Sequence, residues 1–96
     1  MRPSEALERH REEIRDAASR HRTANPRVFG SVLHGTDTED SDIDILVDAL
    51  PGATLFDLGG LHNELEALLG VRVGLVTPGD LHGRFRERVV SEAKSV

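Results

Sequence analysis

The chain has 96 residues, with 12 Lys and Arg against 17 Asp and Glu, so its formal net charge of −5 argues against a broad basic face for non-specific nucleic-acid binding. A chain of this length buries only about 60–65% of its unfolded surface, so one domain over residues 1–96 with an open site is expected rather than a deep enclosed cavity. Cysteine is absent, no apolar run approaches the ~20 residues of a membrane span and the N-terminus lacks an apolar leader, so a cytoplasmic protein without disulfides or membrane contact is expected.

Ser4 can cap a first helix whose opening turn holds Glu5 and Glu8, both favourable at the positive end of the dipole. Leu7, Ile14, Ala17 and Ala18 form its apolar stripe, and Asn25-Pro26 ends the run, which predicts one helix from Ser4 to His21. Arg27-Val28-Phe29 reads as a short extended segment broken by Gly30-Ser31. Residues 35–41 are polar and turn-forming, with Asp37, Glu39 and Asp40 expected in solvent. Ile43, Ile45 and Val47 then alternate with Asp42, Asp44 and Leu46, a period-2 strand pattern that places both aspartates on one face.

Leu50-Pro51-Gly52 predicts a turn, and Thr54 with Asp57 resembles a capping box. The leucines from Leu55 to Leu69 follow at helical spacing as a core stripe, with Gly70 placed just beyond the helix end. Gly59-Gly60 weakens that helix, which points to a close backbone approach requiring small residues. Val71 to Thr77 predicts a second Val-rich strand, and Thr77-Pro78-Gly79-Asp80 the start of a final helix with Leu81, Phe85 and Val89. Arg84, Arg86 and Arg88 read first as a solvated face of that helix and second as contacts to an acidic partner or nucleotide, and the chain is expected to fray over its last three residues. The expected class is α/β, a small mixed sheet flanked by helices in the order α-β-β-α-β-α.

Charge is distributed unevenly along these elements. No Lys or Arg lies between Val28 and Val71, where there are nine acids, and such a centre repels phosphate unless a cation stands between them. Asp42 and Asp44 have Cα atoms about 6.5–7 Å apart on one strand face, so their carboxylates can converge on a common point. Two like charges aimed together call for a cation, and hard oxygen donors suit Mg²⁺ or Mn²⁺, which also accept phosphate oxygens. Gly30 lets the backbone approach a polyphosphate, and the Ser31 hydroxyl can donate to it. An EF-hand reading of residues 40–44 fails, because Ile45 replaces the required glycine.

Gly30-Ser31, ten intervening residues and then Asp42-x-Asp44 resemble the hallmark of the nucleotidyltransferase superfamily with the DNA polymerase β-like palm. Gly30-Ser31-x-x-x-Gly35 followed by Ser41-Asp42-x-Asp44 is similar to the minimal nucleotidyltransferases of that superfamily, and the leucine helix and Thr77-Pro78-Gly79-Asp80-Leu81 extend the likeness over nearly the whole chain. The resemblance implies that Asp42 and Asp44 are catalytic and bind Mg²⁺ or Mn²⁺, and that Gly30, Ser31, His34 and Ser41 hold ATP or another nucleoside triphosphate. It further implies adenylyl transfer to a protein hydroxyl and an antitoxin role toward a HEPN-type toxin; the acidic centre, scarce aromatics and lack of a long apolar run separately predict no direct nucleic-acid or membrane partner. Family members usually add a third carboxylate from the next strand, where this chain has Gly74. That difference leaves an alternative: an impaired nucleotidyltransferase-fold binding module that neutralises its partner by occlusion.

Overall fold

A computed structural model describes residues 1–96. Helices α1 (Pro3–Arg9) and α2 (Arg11–Arg20) lead into strand β1 (Thr23–Phe29), the short helix α3 (Gly30–His34) and strand β2 (Ile43–Ala49). Helix α4 (Leu55–Leu69), strand β3 (Val73–Val76), a 3₁₀ turn (Pro78–Asp80), helix α5 (Gly83–Glu92) and the two-residue strand β4 (Lys94–Ser95) follow. The sheet order is β3-β2-β1-β4, with β2 and β3 parallel and the β2–β1 and β1–β4 pairs antiparallel. It is the expected mixed sheet, and no helix is long and apolar enough to cross a membrane.

Alternation along β2 divides the molecule into two layers. Ile43, Ile45 and Val47 are fully buried against Leu7, Ile14, Ala17, Leu61 and Leu65, so α1, α2 and α4 cover one face. Leu46 points the other way into a smaller cluster with Leu81 and Val89, so α5 covers part of the opposite face. Asp44 shares the parity of Leu46 and lies beside the part α5 leaves open.

Local chemistry explains α4. Asp57 N donates to Thr54 Oγ1 while Thr54 N donates to Asp57 Oδ2 at 2.8 Å, and Gly70 at φ 69° closes the other end. Leu61, Leu65 and Leu69 are buried as expected, but Leu55 is 85% exposed and lies outside the core stripe. The Gly59-Gly60 expectation holds at Gly60, where a Cβ would meet the His21 ring at 3.0 Å, while Gly59 faces open space.

Several expected boundaries move. The single first helix breaks at His10 (φ −123°, ψ 22°) without glycine or proline, because its halves have different neighbours: α1 packs on α3, α4 and β2, and α2 on β1 and α4. Strand β1 begins at Thr23 and passes through Pro26, which sits in an irregularity between Ala24 and Arg27 where it need not donate to the ladder. The second predicted strand narrows to Val73–Val76. The capping box of Thr77 and Asp80 closes only a 3₁₀ turn; Leu81 and His82 are extended, which brings Leu81 into contact with Leu46 before α5 begins. The chain end is paired rather than frayed, since Val96 N donates to Pro26 O at 3.0 Å and the Val96 side chain is buried. Asp37 is buried too, not solvated: its Oδ2 accepts from Ser4 N at 2.9 Å and anchors the start of α1.

Candidate functional site

The centre of the site is the Asp44 carboxylate. In the ladder Asp44 stands opposite Phe29 on β1 and Gly74 on β3. Gly30, at φ 73°, turns the chain from β1 into α3 so tightly over β2 that a Cβ there would overlap Asp44 Oδ2. A Cβ on Gly74 would come within 2.7 Å of Asp44 Oδ1. The carboxylate therefore occupies space that two ordinary side chains would fill. Burial, and secondly the charge of Asp42, push the Asp44 carboxyl above the usual carboxylate range.

Asp42 stands immediately before β2. Its Oδ1 is 3.1 Å from Arg72 Nε, and the backbone there is fixed by Ile43 N donating to Arg72 O. Two carboxylates that repel each other, one of them partly desolvated, form a hard-oxygen donor set that fits a divalent cation. No group of three His, Asp or Glu side chains gathers in a metal-binding arrangement, so the pair has no third such donor from this chain.

Beside Asp44 opens a cleft of about 420 Å³, floored by Phe29 and Gly30 and walled by Phe85, Arg88, Val89 and Glu92 of α5. His34 completes the wall, with its Nε2 3.4 Å from Glu92 Oε2. Gly30, His34 and Asp44 are thus brought to one cleft. Ser31 lies next to it in the first turn of α3, and Asp42 and Ser41 are outside the lining. Ser41 Oγ accepts from Thr38 N at 2.9 Å and closes the turn that leads into Asp42.

Of the α5 wall, the sequence points only to Arg88, as the second reading of the arginine face; Phe85, Val89 and Glu92, and Arg72 beside Asp42, are site neighbours that the structure adds. Phe85 lies three and four residues before Arg88 and Val89, which lie four and three before Glu92, one face of a helix, and that spacing is the available signal. Arg72 carried none, because its partner lies 30 positions earlier in the chain.

A mixed sheet with a glycine turn over a strand-borne carboxylate, Asp44, and a second acid, Asp42, just before that strand is the architecture of a nucleotidyl-transferring palm. The nucleotidyltransferase domain model matches residues 7–96, and the chain belongs to that family of transferases. It is 40% identical over 86 residues to the protein adenylyltransferase MntA of Thermococcus cleftensis, covering 90% of this chain and 84% of that protein. A Methanocaldococcus jannaschii protein described as a protein adenylyltransferase is 38% identical over 77 residues, 80% of this chain and 83% of its own length. Among solved structures, one described as a minimal nucleotidyltransferase superposes with a TM-score of 0.88 at 44% identity, over 97% of this chain and 95% of that one. A toxin–antitoxin crystal structure with AMP-PNP matches at a TM-score of 0.74 and 25% identity, over 88% of this chain and 70% of that one.

Proposed function

We propose that residues 1–96 form a single cytoplasmic domain that transfers AMP from ATP to a hydroxyl of a partner protein: the hydroxyl oxygen bonds to the α-phosphorus, the bond from that phosphorus to the β-phosphate bridge breaks, and pyrophosphate and the hydroxyl proton leave. In this reading the partner is a HEPN-type toxin, which the chain neutralises as its antitoxin. Relatives described as protein adenylyltransferases support the adenylyl group and the protein acceptor. The toxin–antitoxin neighbour with AMP-PNP supports a toxin partner and a nucleoside triphosphate. The observation that carries the reading is the Asp44 carboxylate seated between Gly30 and Gly74 at the mouth of the cleft.

Asp42 and Asp44 are the residues to hold Mg²⁺ or Mn²⁺, which when bound offsets the charge of the triphosphate. Gly30 keeps the turn clear for phosphate oxygens, and the Ser31 hydroxyl and the His34 imidazole donate to them from α3. Phe85 offers an apolar surface to the nucleoside and Arg88 a cation to its phosphates. Ser41 serves by positioning: its turn delivers Asp42 to the edge of β2.

Incubation with α-labelled ATP, Mg²⁺ and a purified HEPN-type protein, taken from the neighbouring gene if that gene encodes one, is expected to label that protein, and Asp42→Ala or Asp44→Ala to abolish the label. Wild-type protein that inhibits the toxin without labelling it overturns transfer. Gly74 favours a second reading, neutralisation by occlusion, because it leaves the acidic pair without a third carboxylate. Inhibition that survives both Asp→Ala changes supports that reading.

A further inference from the structure

Arg72 is the only Lys or Arg between residues 28 and 83, and it lies against one of the two paired aspartates. Its backbone is held firmly. Arg72 O accepts from Ile43 N at 2.9 Å; next to it, Val73 N donates to Glu66 Oε2 at 2.9 Å and Val73 O accepts from His62 Nε2 at 3.0 Å. Glu66 and His62 of α4 thereby clamp the start of β3. The side chain itself is 80% exposed, and Asp42 is its one ion-pair partner. An exposed pair of this kind contributes about 0–1 kcal/mol, little enough for a divalent cation to displace it.

We propose that Arg72 is a built-in, displaceable counter-ion of the acidic pair: it holds Asp42 until a divalent cation enters, and then turns to the phosphates of the bound triphosphate. The inference rests on the reading of Asp42 and Asp44 as the metal pair. Electrostatics gives Arg72 opposite effects on the two ligands. Toward the bare cation it is a repelling charge and a competitor for Asp42. Toward the triphosphate it is an attraction that the nine acids between Val28 and Val71 cannot supply, and guanidinium pairs well with phosphate oxygens.

The test is calorimetric titration of the full chain with Mn²⁺ alone and, separately, with AMP-PNP at saturating Mg²⁺. Arg72→Gln is expected to bind Mn²⁺ about 3- to 10-fold more tightly and the Mg²⁺–AMP-PNP complex about 3- to 10-fold more weakly, with Arg72→Lys closer to wild type in both. A purely structural role would not move the two affinities in opposite directions. Mn²⁺ uptake by wild type that Arg72→Gln leaves unchanged or weakens overturns the counter-ion role alone, and tighter Mn²⁺ binding with unaltered AMP-PNP affinity overturns the turn to phosphate. No Mn²⁺ uptake by wild type overturns the metal-pair reading and the inference with it.

Discussion

Gly74 stands directly across the parallel ladder from Asp44, close enough that a Cβ at position 74 would come within 2.7 Å of Asp44 Oδ1. The glycine does more than leave a carboxylate out; it makes room for the one that is there. Gly74→Ala should push the Asp44 carboxylate aside at little cost in stability, since the displaced atoms are the end of a flexible side chain, and weaken Mn²⁺ uptake about 3- to 10-fold. Gly74→Asp causes the same displacement but brings oxygens of its own, and should bind Mn²⁺ more tightly than wild type. Equal effects of the two variants in a metal titration would show that space, not donors, governs the position.

Asp44 should also limit stability. Its folded-state pKa is raised above the ordinary 3.8, chiefly by burial, so the unfolded chain ionises more readily and the ionised carboxylate disfavours folding. The sign is therefore a penalty that is absent at pH below 3.8, grows as pH rises through the raised folded value and is complete above it. Asp44→Asn removes the charge and should have a higher Tm than wild type at pH 7, with the difference shrinking on acidification toward pH 4, while metal uptake is lost. Thermal melts of both proteins from pH 4 to 8 check this, and an Asn variant that is less stable at pH 7 contradicts it.

Asp37 works in the opposite sense. The N–H of Ser4 holds its carboxyl below the usual range, so it contributes stability above the ordinary value of 3.8 that is lost as pH falls through the lowered folded value. Asp37→Ala should destabilise the fold by about 1–2 kcal/mol, the worth of a charge-assisted bond to a helix start. Urea unfolding at pH 7 measures it. A change within error of zero would mean that α1 keeps its position without this anchor.

What could be read from the sequence was local, and what could not was separated along the chain. The Gly30-Ser31 to Asp42-x-Asp44 spacing was legible as a motif, and Gly30 meets Asp44 because Phe29 and Asp44 pair across the antiparallel β1–β2 ladder. The Thr54 and Asp57 box and the Gly70 terminus lie within single turns, and they too were legible. Asp37 looked solvated because its partner Ser4 lies 33 residues away, and the charge pattern around it resembles any polar loop. The break at His10 depends on what packs against each half of the helix, and β4 is too short to show a period. Arg72 meets Asp42 only because β2 and β3 are parallel neighbours, a pairing that no local pattern announces.

The two adjacent glycines of α4 provide a test of packing against propensity. A helix-interior glycine costs about 0.5–1 kcal/mol relative to alanine, so Gly59→Ala, whose Cβ enters open space, should stabilise the protein by roughly that amount. At Gly60 the same gain is opposed, because the new Cβ would lie 3.0 Å from His21 Cε1 and 3.1 Å from its Nδ1. The ring has limited freedom to retreat, since its Nε2 faces Glu64 Oε1 at 3.4 Å one turn further along α4. Gly60→Ala should therefore be about 1 kcal/mol less stable than Gly59→Ala in urea unfolding. In a His21→Ala background the difference should vanish, because the opposing atoms are gone. A difference that persists there would assign the requirement for Gly60 to the helix backbone and not to the histidine packed on it.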